Sequence, residues 1–338
     1  MLLHPKGKNK IFLSIIFGIL LIIGLGIYFA SSNLFNAPQK QSEPERLIIQ
    51  IGKDDSKEVE DSLYEKGFIK NRLGFKIAFY GILNVNSRCI DCIMPGAYKI
   101  SKSMSVFEIV KILKSDPYMK WVIIPEGYRK EQIADIFVEE FGWGDAQANE
   151  FIKRTNEVAS IKEGIFFPDT YLIPLDESPT DVVDRLYARF NEKFNPYSKE
   201  AVSQDIKWTT LIKIASFVQR EAGGKEDMPV IAGVLWNRLL QDMKLDIDAT
   251  LQYVKGEKGD WWPVAKSIDK KIDSPYNTYM YEGLPPQPIS NPGTSAIEAV
   301  LYPKKTDCLY YLHDSNRQIH CAETYEEHKE NIEKFLSN

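Results

Sequence analysis

Residues 211–222 read Leu-Ile-Lys-Ile-Ala-Ser-Phe-Val-Gln-Arg-Glu-Ala. At about 100° per residue, Leu211, Ile214, Ala215, Val218 and Ala222 share one face, which predicts an amphipathic helix halted by Gly223-Gly224. Glu221 sits on the edge of that face beside Ile214 and Val218, and Arg220 points to the opposite side. A carboxyl held half against apolar side chains is partly desolvated, which disfavours its charged form and raises its pKa. A glutamic acid that keeps its proton near neutral pH can protonate a glycosidic oxygen. Read alone, Glu221 has a plainer explanation, because most helical glutamates are simply solvated.

Working outward, a second helix is expected from Asp227-Met-Pro229, with Val230, Ile231, Val234 and Leu235 inward and proline tolerated in the first turn. Residues 245–303 read as loop-rich, with many Pro, Gly, Asn and aromatic residues, and a long loop inside a compact domain is usually functional. Strands at 309–312 and 318–321 form a hairpin about Asp314-Ser-Asn316, and Thr324 with Glu327 caps a final helix. Upstream, Glu163-Gly-Ile-Phe-Phe-Pro-Asp-Thr-Tyr171 is an aromatic, proline-bearing turn, read first as a structural corner. Amphipathic helices are expected over 129–141 and 178–194. Earlier still, strands at 47–51, 96–100 and 121–124 alternate with helices opened by Asp55/Glu58 and Ser105/Glu108 capping boxes. They outline a small α+β module over 46–124.

The 338 residues are 44% hydrophobic and 26% charged, with a net charge of -5. No basic stripe marks a nucleic-acid surface, so no nucleic-acid partner is expected. Ile11 to Ala30 carries no charge and matches the roughly 20 residues needed to cross a bilayer. Lys6, Lys8 and Lys10 precede it, and the next charge is Lys40. The positive-inside bias leaves residues 1–10 as a cytoplasmic tail, 11–30 as the membrane span, 31–45 as a polar linker lifting the next domain off the membrane, and the remainder outside. A cleaved signal peptide is the rival reading, but its apolar core is normally shorter. Disulfides are permitted there, and folding the hairpin brings Cys308 opposite Cys321, predicting a bond between them. Cys89-Ile-Asp-Cys92 lacks a thioredoxin-like setting and reads as a local disulfide or two free thiols. The scattered His313, His320 and His328 suggest no metal site, and His320 reads as a hairpin-packing residue before a substrate contact.

The sequence also resembles a known family. Ala215-Ser216 and Glu221, Asn237-Arg238-Leu239, and Asp248-x-Thr250-x-Gln252-Tyr253 follow its order. So do Tyr276-Asn277-Thr278-Tyr279, Gly283-Leu284-Pro285-Pro286, Asn291-Pro292-Gly293, His320 and Thr324-Tyr-Glu-Glu-His328, with Glu163-Gly164 and Pro168-Asp-Thr-Tyr171 ahead of them. Together these blocks resemble the endolytic murein transglycosylases, the MltG/YceG-like family, over residues 46–335. The resemblance implies an α+β fold: an N-terminal transmembrane helix, a LysM-like module at 46–124, and a mixed α+β YceG-like catalytic domain at 125–338 with its core at 205–338. It also implies a cytoplasmic-membrane enzyme that cleaves MurNAc-β-1,4-GlcNAc bonds within peptidoglycan strands, leaves 1,6-anhydro ends and limits nascent glycan length, with no cofactor or metal. Penicillin-binding synthases are partners only by that implication. Glu221 is the expected catalytic acid, and Gln252, Tyr253, Tyr276, Asn277 and Thr278 are expected to orient the sugars, with Gln219 and Asp248 as second choices. For each of these, loop architecture is the alternative. The chain departs from the family at Gln219, where a second acid is usual. That removes any pKa-tuning role for a carboxylate there. Two other functions compete: a lysozyme-type hydrolase using Glu221 with Asp248, and a catalytically silent wall-binding scaffold.

Overall fold

The computed structural model describes residues 6–52, 55–84 and 92–336, with side chains from residue 12 onward. The elements are α1 (Lys6–Phe35), β1 (Glu45–Ile49), α2 (Ser56–Glu65), α3 (Arg72–Tyr80), β2 (Gly96–Ile100), α4 (Val106–Leu113) and β3 (Met119–Ile123). There follow α5 (Lys130–Phe141), α6 (Asp145–Thr155), β4 (Thr170–Pro174), α7 (Pro179–Ser203), α8 (Trp208–Glu221), α9 (Met228–Leu240) and α10 (Asp248–Lys255). The chain ends with α11 (Thr294–Leu301), β5 (Tyr310–His313), β6 (Ile319–Ala322) and α12 (Tyr325–Leu336). This is a mixed α+β protein with an apolar N-terminal helix. It divides into two compact units: residues up to 121 with 172–175, and residues 122–171 with those from 176 onward.

In the first unit, Phe12–Phe35 of α1 is long and apolar enough to cross a membrane, with a mean hydropathy of 2.6. Residues 31–35, assigned to the linker from sequence, continue this helix. Its end packs on the module: Gly74 of α3 lies so close to the Leu34 carbonyl that a Cβ has no room, and Phe35 stacks on Phe107 at 4.9 Å. Strands β1, β2 and β3 pair antiparallel, and the returning segment 172–175 completes a sheet in the order β1-β2-β3-β4. Leu47, Ile49, Leu63, Phe75, Tyr98 and Ile109 fill the core beneath it. Both predicted capping boxes form, with Asp55 and Glu58 satisfying each other's backbone N–H groups and Ser105 and Glu108 doing the same. Helix α3 was not foreseen, although Asn71 caps it and Phe75 and Phe79, four residues apart, stack against each other. The CxxC expectation rests on Cys89, which lies outside the described residues.

The second unit is built around α8, whose Leu211, Ile212, Ile214, Ala215, Phe217 and Val218 are buried. Helix α11 packs across α8 and α9. The stretch expected to be loop-rich, 245–303, contains two α-helices, α10 and α11, and a 3-10 helix over Ser267–Lys271. The two α-helices have eight residues each, too short to leave a long periodic pattern, and α10 buries only Ala249, Thr250 and Leu251. Helix α6 escaped for a similar reason, since only Phe151 and Thr155 of its eleven residues are buried. Helix α7 runs past the expected end at Phe194 to Ser203, with Pro196 inside it. The hairpin pairs β5 with β6 in the register Tyr311↔Cys321 and Leu312↔His320. Cys308 and Cys321 are bonded, with Cα atoms 5.8 Å apart. The Asn237-Arg238 pair anchors the segment leading into β5. The Asn237 amide donates to the Thr306 and Cys308 carbonyls, and the Arg238 guanidinium donates to Leu309 O, Lys244 O, Leu245 O and Asp246.

Candidate active site

Glu221 is the last residue of α8, so its carboxyl lies at the negative end of the helix dipole, where an anion is disfavoured. Its side chain borders a cavity of about 400 Å³, shared with Asp248, Lys270, Tyr279, Tyr311 and, further along, Tyr310 and Tyr325. Two donors fix the carboxyl. The Tyr311 hydroxyl donates to Oε2 at 2.9 Å, and the Ala249 N–H in the first turn of α10 donates to Oε1 at 3.4 Å. Burial pushes the Glu221 pKa up. Tyr311 and Ala249 oppose this, the nearby Asp248 charge adds to it, and His313 opposes it. The net direction is upward, as an acid that must carry a proton requires.

Asp248 stands at the mouth, exposed, and accepts a hydrogen bond from the Tyr279 hydroxyl at 2.7 Å. Lys270 places its ammonium 4.2 Å from the centre of the Tyr279 ring. The cavity is therefore walled by phenols, by the carboxylates of Asp246 and Asp248 and by the cations Lys270 and Arg238, around the half-buried Glu221. Among the described residues, no cluster of three or more His, Cys, Asp or Glu side chains stands at metal-holding spacing.

The structure sorts the sequence-expected residues into three groups. Glu221 and Asp248 share the cavity. Tyr253 and Tyr276 pack together, ring centres 5.0 Å apart, and Tyr253 also meets Trp262 at 6.4 Å and lies under the Arg129 guanidinium at 4.1 Å. They fall outside the cavity lining, as does the half-buried Gln252. Gln219 ties two turns together, accepting from the Gly293 N–H at 3.0 Å and donating to Glu126 at 3.4 Å. Asn277 and Thr278 require a correction, because both are fully buried. The Asn277 amide donates to the Lys270 and Ile272 carbonyls, and Thr278 Oγ1 accepts from the Ile247 N–H and meets Thr250 Oγ1 at 3.0 Å. They hold the loop against α10 and have no surface to offer a ligand. His320 bonds Asp314 at 3.0 Å and stacks on Phe335, packing the hairpin.

Tyr279, Lys270 and Tyr311 were not selected from sequence. Tyr279 was visible as the last residue of a motif block, whereas Tyr311 meets Glu221 only through a hairpin 90 residues away. A further tie was equally hidden. Glu163 is buried and accepts from the Lys130 and Gly164 N–H groups and from the Asn291 amide at 3.1 Å. Asn291 in turn accepts from the Phe166 N–H at 2.7 Å and donates to Tyr128 O at 2.8 Å, joining three motif turns in one buried network.

Comparison with known proteins places this geometry. An endolytic murein transglycosylase of Bacillus subtilis is 33% identical over 268 residues, covering 72% of this chain and 73% of the relative. One from Streptococcus pneumoniae is 27% identical over 358 residues and covers 94% of this chain, which spans only 64% of that relative's length. A crystal structure of a yceG-like protein from Listeria monocytogenes superposes with a TM-score of 0.56 at 29% identity, over 86% of this chain and 99% of the other. The profile of the YceG-like family matches residues 49–334. The chain, matched by the family's profile over nearly the whole of its length beyond the apolar helix, belongs to the YceG-like family.

Proposed function

We propose that this chain is a membrane-anchored endolytic lytic transglycosylase that cleaves the MurNAc-β-1,4-GlcNAc bond inside peptidoglycan strands. One observation carries the reading: a single half-buried carboxyl, raised in pKa by burial and held by Tyr311 and Ala249, at the wall of a cavity large enough for a sugar unit. Glu221 protonates the glycosidic oxygen as the C1–O bond breaks and the GlcNAc 4-hydroxyl leaves. The muramoyl 6-hydroxyl then attacks C1 and returns its proton to the same carboxylate, so no water is consumed. An intramolecular hydroxyl is present at high effective concentration, which suits a site with one acid–base residue. Hydrolases usually need a second carboxylate at a set separation. Asp248, on the same wall, is the observation that favours the hydrolytic alternative.

Helix α1 anchors the chain, with the amino terminus in the cytoplasm by the Lys6, Lys8 and Lys10 bias and the second unit outside. The first unit is a LysM-like reader of N-acetylglucosamine polymers, the second carries catalysis, and the product is a shortened nascent strand delivered beside penicillin-binding synthases. Tyr253 and Tyr276 extend the sugar path beyond the cavity.

The test is mass spectrometry of products from wild type and Glu221→Gln on nascent peptidoglycan. Anhydro-muropeptides, one water lighter than reducing products and made only by wild type, support the reading. Reducing ends that incorporate solvent oxygen move the assignment to a hydrolase using Asp248.

A further inference from the structure

Arg129 and Arg238, whose side chains are largely buried, are each held by two or more acceptors. Arg129 bonds Glu131 and the Tyr253 carbonyl, and Arg238 bonds three carbonyls and Asp246. Arg220 differs. Its guanidinium lies over the Trp262 indole, 3.8 Å from the ring centre, and makes no hydrogen bond or ion pair with the described residues. Its Nε is buried and unpartnered, so the terminal Nη groups are the donors left open to a ligand. The platform beneath it is fixed, because Trp262 Nε1 donates to Gln132 Oε1 at 2.8 Å and Gln132 also accepts from the Arg129 N–H that opens α5. On the flank the chain passes as Gly127, at φ +78, where even a Cβ would come within 3.5 Å of Nη1. The one acid beside it in the chain, Glu221, is engaged elsewhere by Tyr311 and Ala249. A partly desolvated guanidinium with no acceptor is costly to keep, and it presents a planar pair of donors matched to a carboxylate.

We propose that Arg220, outside the lining of the Glu221 cavity, is a carboxylate receptor on the sugar path past Tyr253 and Trp262, binding an acidic group of the glycan strand one residue along α8 from the reacting acid. This rests on the transglycosylase reading, which supplies a strand bearing two kinds of carboxylate: those of the stem peptides, and the muramoyl lactyl carboxylate that is freed when the peptides are removed. Burial lowers the Arg220 pKa while Glu221 raises it, in keeping with a guanidinium partly withdrawn from water.

The test measures binding of full-length Glu221→Gln protein in detergent, with and without Arg220→Gln. The three ligands are peptide-bearing strands, amidase-denuded strands and N-acetylglucosamine oligomers, which carry no carboxylate. The expected result is a roughly tenfold loss of affinity on a carboxylate-bearing ligand and no loss on the neutral oligomers. A loss confined to peptide-bearing strands assigns the stem carboxylates, and one confined to denuded strands assigns the lactyl group. Arg220→Lys, which keeps the charge, recovers part of the affinity, and matched melting curves exclude misfolding. Equal loss on all three ligands, or no loss on any, overturns the proposal. A Glu221→Gln chain that binds none of the three fails one step earlier and takes the substrate reading down with it.

Discussion

Tyr311 Oη donates to Oε2 of Glu221 at 2.9 Å, while the Ala249 N–H reaches the other oxygen, Oε1, only at 3.4 Å. The firmer bond fixes the carboxyl plane and leaves Oε1 as the oxygen best placed to carry and transfer the proton. On the proposed reading, Tyr311 acts as a positioning residue for the acid. Tyr311→Phe should lower kcat by roughly tenfold, the worth of one hydrogen bond to a charged group, with little change in KM. Steady-state kinetics on defined strands read this directly, and a rise in KM at constant kcat would assign Tyr311 to substrate binding instead.

The same contacts predict opposite pH shifts. Burial raises the Glu221 pKa, the Tyr311 bond lowers it, and the Asp248 charge raises it. As the proposed general acid, Glu221 would be competent while protonated, so the high-pH limb of kcat/KM should follow this group. Tyr311→Phe removes a bond that favours the ionised form and should move that limb to higher pH. Asp248→Asn removes a like charge and should move it to lower pH. Two shifts of the same sign would mean that another group controls the limb.

Local patterns were legible in the sequence, and long-range pairings were not. The period of residues 211–222 placed Glu221 at the edge of the apolar face, and the Asp55/Glu58 and Ser105/Glu108 signatures set two helix starts. The Cys308–Cys321 bond followed from folding a short hairpin. By contrast, Asn277 looked like a sugar ligand because a polar residue in a motif says nothing about which way it faces. Its amide is consumed by carbonyls five and seven residues earlier. Tyr311 and the Glu163–Asn291 pair depend on side chains meeting across 90 and 128 residues, which no local period encodes.

The Glu163 network should appear in stability. Burial lifts the Glu163 pKa from the ordinary 4.5 to about 8, the neighbouring Glu131 charge adds to it, and Lys130 and Arg129 oppose it. A pKa raised on folding gives stability that is full below the unfolded value and is lost as pH rises through the folded one. The melting temperature should therefore fall between pH 4.5 and about 8, and Glu163→Gln should flatten that slope. Asn291→Ala, which strips one donor from the buried carboxyl, should cost about 1–3 kcal/mol. Thermal melts across this range test both, and an unchanged slope in Glu163→Gln would remove Glu163 as its source.

The Cys308–Cys321 bond should control activity through Tyr311. It closes a segment with a sequence separation of 13, and Tyr311 pairs directly with Cys321 in the hairpin register. A crosslink over so short a loop contributes about 3 kcal/mol in the chain-entropy view, concentrated in the hairpin. Arg238 and Asn237 hold only the entry to β5, through the carbonyls of residues 306, 308 and 309. Reduction, or Cys308→Ser with Cys321→Ser, should loosen the strand and let the Tyr311 hydroxyl leave Glu221. The expected result is a kcat loss approaching that of Tyr311→Phe, with glycan affinity largely kept. In a Tyr311→Phe background the cysteine replacements should add little further loss, because the bond they protect is already gone. Independent, fully additive losses would mean that the disulfide stabilises the second unit without steering its acid.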